Sequence, residues 1–229
     1  MNIRWFYYIA RFAVRVVLFL STRWQVKGRE NIPAEGPLLI VANHLNLADP
    51  PIVSVSIARQ TMFMAKEELF KAKFTGYFIG SFGAFPVRRS QADTKAVRQA
   101  LKILADGLAL VVFPEATRSP NAQLQPAFPG AALIALRSGA PILPIGITGT
   151  EKIRGKTWIL RRPRVTVNIG PAFHLPPTSR KANRTELARL TDFIMEHIAE
   201  QLPVEYRGHY VNQDGSTAST IKEPNASKN

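Results

Sequence analysis

Short, continuously apolar runs alternate with segments of helical periodicity along most of this chain. Pro37–Ala42 (PLLIVA) and Leu108–Phe113 (LALVVF) are almost wholly apolar over strand length, which predicts strands covered on both faces. Thr61–Ala65, Phe82–Val87 and Pro141–Ile147 are further strand candidates, and Pro141 with Pro144 suggests an edge or a strand end for the last. Ile159–Ile169 reads as a hairpin across Arg161-Arg162-Pro163. Between these runs, Pro50-Pro51 opens a helix to about Ala58, since proline suits a first turn. Residues 67–80 read as one helix or two short ones, with Phe70, Phe74, Tyr77 and Phe78 as apolar contacts. Asp93–Asp106 is amphipathic: Ala96, Val97, Ala100, Leu101 and Leu104 face inward, Lys95, Arg98 and Lys102 outward, and Gly107 stops it. Gly130–Arg137 is a small-residue helix ended by Gly139. Asn183 and Glu186 form a capping box for a last helix to about Leu202. Strand alternating with helix predicts an α/β fold, a mixed, mostly parallel sheet flanked by helices.

The two ends differ from this pattern. Trp5–Leu20 is rich in aromatic and aliphatic residues but broken by Arg11 and Arg15, and falls short of the ~20 apolar residues of a spanning helix. At about 100° per residue, Arg4, Arg11 and Arg15 share one stripe, with apolar residues such as Ile9 and Val17 on the opposite arc. That is the pattern of an interfacial helix; the alternative is a helix packed on its own core with arginines in water. The broken apolar centre argues against a signal peptide. From about Arg207 the chain loses apolar content and reads as a disordered polar tail. The expected organisation is an N-terminal amphipathic, membrane-surface helical segment over 1–25, an α/β domain over 26–206 and a tail over 207–229.

Charge sharpens the picture. Thirty Lys and Arg face sixteen Asp and Glu, a formal +14, which favours anionic partners: lipid headgroups, an acidic carrier protein or nucleic acid. No recognisable nucleic-acid module is present, so nucleic acid is not expected. With no cysteine, disulfides, thiol catalysis and Cys-ligated metals are excluded. No glycine spacing matches a dinucleotide or Walker loop.

Four motifs sit at expected strand ends, where α/β folds place their sites. Asn43-His44 through Asp49 follows the first buried strand. A histidine suits proton transfer near neutral pH, and a carboxylate nearby can hold its tautomer. Pro50 is expected to keep Asp49 out of helical geometry, so that the two meet in a loop. Read alone, the pair is also an ordinary loop histidine beside a capping aspartate. Gly83 to Arg88-Arg89 ends in paired guanidiniums suited to phosphate, or to a solvated turn. Phe113-Pro114-Glu115-Ala116-Thr117-Arg118-Ser119 gathers groups that can hold hydroxyls and a phosphate, or form a polar turn. Leu143-Pro144-Ile145 reads best as a core strand.

In this order and spacing, the four blocks resemble the glycerolipid acyltransferase family, in particular bacterial 1-acyl-glycerol-3-phosphate acyltransferases, over roughly Val26–Pro171. Asn43-His44 through Asp49 is similar to the family's N-H-x4-D block, Gly83–Arg88 to its second, Phe113–Ser119 to its F-P-E-G-T-R-S block, and Leu143-Pro144-Ile145 to its V-P-V block. Asn46 stands where the family usually has Ser, Ala116 where it has Gly, and Pro129 where a Lys commonly precedes the glycine matching Gly130. These departures touch acceptor recognition more than proton transfer. A left-handed backbone at Ala116 would be strained.

The resemblance implies transfer of a fatty acyl group from acyl-CoA or an acidic acyl-carrier protein to a lysophospholipid hydroxyl. His44 would be the base and Asp49 its orienting partner. Arg88, Arg89 and Arg118 would hold the acceptor phosphate, with Thr117 beside them, and Glu115 would meet the glycerol or steady an arginine. Asn43, Gly83, Pro114 and Pro144 would support the motifs. The chemistry needs no metal or cofactor beyond the acyl donor. Membrane association at the cytoplasmic face of the inner membrane follows, with Lys152/Arg154/Lys156 and Arg161/Arg162/Arg164 as candidate lipid contacts. Two rivals stay open: an acyltransferase for another lysolipid, and a non-catalytic protein that binds anionic membrane.

Overall fold

A computed structural model describes residues 6–72, 76–77, 79–80, 82–88, 93–155, 157–178 and 182–211. Its centre is a seven-stranded sheet in the order β1-β7-β6-β2-β5-β3-β4. The strands are β1 (Arg23–Lys27), β2 (Leu38–Ala42), β3 (Thr61–Lys66), β4 (Ala84–Val87), β5 (Ala109–Val112), β6 (Ile142–Thr148) and β7 (Arg164–Ile169). β6, β2, β5, β3 and β4 are mutually parallel, while β7 runs antiparallel to β6 and parallel to β1. The expected mixed, mostly parallel sheet is therefore present.

Helices cover both faces. Leu38, Ile40 and Ala42 point to one face of β2, under α1 (Phe6–Ser21) and α2 (Asp49–Ser56). Leu39 and Val41 point to the other, under α3 (Thr94–Ala105), α4 (Gly130–Ser138) and α6 (Arg184–Glu200). This two-sided burial is why β2 and β5 are apolar at every position. Asp93 caps α3 by accepting from Lys95 and Ala96 N–H, and Asn183 caps α6 by accepting from Glu186 N–H.

Several expectations are corrected. β6 is an interior strand, so of the two readings of its prolines the edge fails and the strand end holds, Pro141 standing directly before it. Pro144 aligns with Val41 of β2, and its carbonyl accepts from Gly170 N–H where the β6–β7 ladder ends, so its missing donor costs little there. Residues 159–169 form no hairpin: Trp158–Arg161 is a one-turn helix, α5, and the antiparallel partner of β7 is β6. β1 begins at Arg23, inside the segment assigned to the N-terminal appendage. Gly208–Tyr210 is a 3-10 turn, with Tyr210 packed on the core, inside the stretch expected to be a tail. Residues 212–229, and Phe74 and Phe78 of the expected helix 67–80, lie outside the described residues. Glu67–Phe70 in that stretch is a 3-10 turn.

Helix α1 splits its arginine stripe: Arg15 is exposed, whereas Arg11 is not. Arg11 turns inward and donates to Tyr7 Oη at 2.9 Å, Arg59 O at 3.0 Å and Ile57 O at 2.6 Å. Tyr7 is fully buried and its hydroxyl accepts from Thr61 N–H at 3.1 Å. Apolar side chains point outward instead, with Phe12 at 69% and Phe19 at 74% exposure beside Tyr8, Ile9, Val16 and Leu20. Arg4 and Trp5 lie outside the described residues. No described helix is long and apolar enough to cross a membrane.

Candidate active site

The parallel strands bring three of the sequence motifs to one edge of the sheet. His44 follows β2, Pro114–Ser119 follows the neighbouring β5, and Arg88 follows β4, two places further on. All three strands run the same way, so their C-terminal ends share an edge.

The loop after β2 folds back on a single carboxylate oxygen. Asp49 Oδ2 lies 2.8 Å from His44 Nδ1 and accepts from Leu45 N–H at 2.6 Å and Asn46 N–H at 2.7 Å. Asp49 is the first residue of α2, not a loop residue as expected; Pro50 and Pro51 occupy the first turn, where a missing N–H leaves no bond unmade. The pair still meets, because the turn between them, closed by Asp49 N–H donating to Asn46 O at 3.1 Å, carries His44 back over the helix start. Asp49 is fully buried and His44 5% exposed. With Nδ1 held by Asp49, Nε2 is the ring nitrogen that can take a proton. The ring stacks on Phe113, centroids 4.4 Å apart, a contact that fixes its plane.

Backbone and side-chain bonds brace this loop from both sides. Asn43 exchanges two bonds with Ile147 across the ends of β2 and β6, at 2.9 Å and 2.7 Å. Asn46 donates to Ile153 O at 3.2 Å. His44 O accepts from Ser119 N–H at 2.8 Å. Buried Glu115 accepts from His44 N–H through Oε1 and from Gln125 N–H through Oε2, both at 2.9 Å. Both its oxygens are thus engaged by the chain's own backbone, and Glu115 braces the β2 and β5 loops against each other. The sequence motifs did not include Gln125, and they gave no sign of the bracing roles of Ser119 and Phe113. Ser119 and Gln125 act here through backbone groups, which leave no mark on residue type, whereas the aromatic at the end of β5 was a readable signal.

Burial pushes the Glu115 carboxyl up to about 7, against the two backbone donors and with the nearby charge of Asp49 adding to the rise. Folded chain therefore keeps a proton there between pH 4.5 and about 7, where unfolded chain has lost it. Stability contributed by this group falls as pH rises through that window and levels off above it. Urea unfolding of the parent and Glu115→Gln should show the gap in unfolding free energy changing by on the order of 2–3 kcal/mol between about pH 5 and about pH 8. Parallel profiles would contradict the assignment.

The remaining motif residues are more open. Ala116 does adopt the left-handed backbone, at φ 54, at a cost of about 1 kcal/mol for a residue with a Cβ. Thr117 and Arg118 are exposed on the turn it makes, and Pro114 O accepts from Phe128 N–H at 3.0 Å. Gly83 sits at φ 84, where a Cβ would lie 2.9 Å from Thr61 O, so glycine is required just before β4. Arg88 is exposed and its Nε donates to Glu67 at 2.8 Å, so a bound phosphate has to compete with that carboxylate. Arg89 lies outside the described residues. Among the described residues, no three His, Asp or Glu side chains cluster as a metal site would require.

Comparison with known proteins matches this geometry to one family. The family profile described as acyltransferase matches residues 23–148. A 1-acyl-sn-glycerol-3-phosphate acyltransferase of Bacillus subtilis is 29% identical over 189 residues, covering 82% of this chain and 92% of the relative. One from Pseudomonas aeruginosa is 29% identical over 201 residues, covering 86% and 77%. The crystal structure of the 1-acyl-sn-glycerophosphate acyltransferase PlsC from Thermotoga maritima superposes with a TM-score of 0.64 at 28% identity, covering 82% of this chain and 76% of that one.

Proposed function

The chain belongs to the acyltransferase family, and on that premise we propose that it acylates the free sn-2 hydroxyl of 1-acyl-glycerol-3-phosphate, giving phosphatidic acid for phospholipid synthesis. The donor is a fatty acyl thioester, acyl-CoA or acyl-carrier protein. The observation that carries this reading is the buried His44–Asp49 pair at the C-terminal edge of the sheet. His44 Nε2 takes the hydroxyl proton as the oxygen attacks the thioester carbonyl. Asp49 holds Nδ1–H and stabilises the imidazolium that forms. When the tetrahedral intermediate collapses, the thiolate leaves and recovers the proton from the ring.

Arg118, exposed beside the braced loop, is the phosphate ligand this reading favours, with Arg88 joining once it parts from Glu67. The apolar outer face of α1 and the formal +14 support docking on an anionic bilayer, at the cytoplasmic face of the inner membrane, where the acceptor lies.

The test is one assay of purified protein with acyl-CoA or acyl-carrier protein against lysophosphatidic acid and lysophosphatidylcholine. Phosphatidic acid with matching thiol release is the expected result. Transfer to lysophosphatidylcholine alone, or to neither acceptor, overturns the proposal. In the same assay Arg118→Ala should raise the acceptor KM by roughly 10–100-fold, as expected for a lost charge-assisted hydrogen bond, and leave the donor KM unchanged.

A further inference from the structure

Helix α5 is a single turn that exposes two aliphatic side chains, Ile159 at 51% and Leu160 at 85%. Exposed basic side chains surround it in the chain: Arg154, Arg161, Arg162 and Arg164. The turn is held in place rather than loosely tethered. Arg161 donates to Arg154 O at 2.8 Å, and Arg162 donates to Phe19 O at 3.2 Å, tying α5 to the end of α1. Arg162 makes that reach from a left-handed backbone, φ 42, which costs a non-glycine residue about 1 kcal/mol. β7 then starts at Arg164, paired in register with Arg23 just after α1.

Topology places this corner beside the active site. β7 runs antiparallel to β6, so it begins at the edge where β6 ends, the same edge that carries the His44 loop. Asn46 of that loop donates to Ile153 O in the segment leading to α5. Between them lies an apolar cavity of about 310 Å³, lined by residues that include Val14, Val17, Leu18, Ile52, Ile153 and Trp158. The end of α1 and the α5 turn are therefore neighbours, although about 140 residues apart in sequence.

We propose that α5 is a second lipid-contact element, with Ile159 and Leu160 entering the acyl layer of an anionic bilayer and Arg154 and Arg164 meeting headgroup phosphates. The proposal rests on the reading of α1 as a docking helix. Charge complementarity selects the occupant: aliphatic tips within a basic collar fit an anionic lipid surface. Its consequence is orientation. One interfacial helix leaves the domain free to roll about the helix axis. A second contact off that axis fixes the roll and turns the His44 edge toward the bilayer.

The experiment compares Ile159→Ser/Leu160→Ser with Phe12→Ser/Phe19→Ser, in the full chain. Flotation uses vesicles of phosphatidylglycerol with phosphatidylcholine, and of phosphatidylcholine alone. Turnover is measured on lysophosphatidic acid held in the vesicles and on a short-chain, water-soluble form. The α5 variant should bind the anionic vesicles roughly tenfold or more weakly, the loss expected for two partly inserted aliphatics. Its turnover on vesicle-held acceptor should fall in step, with turnover on the soluble acceptor unchanged. If the α1 variant loses binding and the α5 variant does not, the inference about α5 is overturned and the docking role of α1 stands. If neither loses binding, both fail. If the α5 variant binds vesicles normally but loses turnover with acyl-carrier protein and not with acyl-CoA, the surface belongs to the carrier protein and the lipid proposal is overturned. Vesicle binding is read without turnover, so an inactive preparation does not obscure the result.

Discussion

Replacing His44 with Ala should lower acyl transfer by roughly 10²–10⁴-fold or more, with the acceptor KM close to that of the parent. On the proposed mechanism the ring takes the hydroxyl proton and returns it to the leaving thiolate. Its removal should leave the scaffold standing, because the structural bonds of residue 44 are made by its backbone. Its N–H donates to Glu115 and its carbonyl accepts from Ser119, and alanine retains both. What is lost in stability is the stack on Phe113 and the bond to Asp49, and urea unfolding should show the variant still cooperative. Single-turnover assays with acyl thioester and lysophosphatidic acid check the prediction. Equal turnover by parent and variant would remove the base mechanism altogether.

What could be read from sequence followed from how far each side chain's chemistry determines its surroundings. β2 and β5 were visible because a strand buried on both faces has no room for polar residues. β1 was not, because an edge strand with one open face tolerates Arg23, Gln25 and Lys27 alternating with Trp24 and Val26, and five such residues resemble a linker. Prolines left β6 open between an edge and a strand end, and only the second holds. A proline excludes one backbone donor, and here that donor falls where the ladder is ending. The inward turn of Arg11 in α1 was hidden for a related reason. Periodicity separates apolar from charged arcs but does not say which arc meets the protein. Arg11 is satisfied by the carbonyls of Ile57 and Arg59 beyond the end of α2, partners that no pattern within α1 announces.

The His44–Asp49 pair was legible as a candidate and its support was not. His44 and Asp49 carry chemistry in their residue types. The brace around them is made largely of backbone groups on Leu45, Asn46, Ser119 and Gln125, positions where many side chains would do. Glu115 shows the limit most clearly. A charged residue in a motif invites a role with substrate, yet here its carboxylate is spent joining two loops.

Asp49→Asn and Asp49→Ala should separate the two jobs of this carboxylate. One oxygen receives the imidazole and two backbone N–H groups, so it both tunes the base and shapes the loop that presents it. The Asn variant keeps an acceptor for the loop but loses the charge that stabilises the imidazolium. If its amide nitrogen turns to His44, the proton is forced onto Nε2 and the base is blocked. Activity should fall on the order of 10⁴-fold, with unfolding stability nearly kept. The Ala variant orphans three donors at a fully buried position, and should lose about 3–5 kcal/mol of stability as well. That is a large share of the ~5–15 kcal/mol that holds a domain together, so its melting temperature should drop well below that of the Asn variant. Because Asp49 acts on the reaction through His44, the double variant His44→Ala/Asp49→Asn should be no slower than His44→Ala alone. Multiplicative losses in the double variant would mean that Asp49 touches the reaction independently of the histidine it holds.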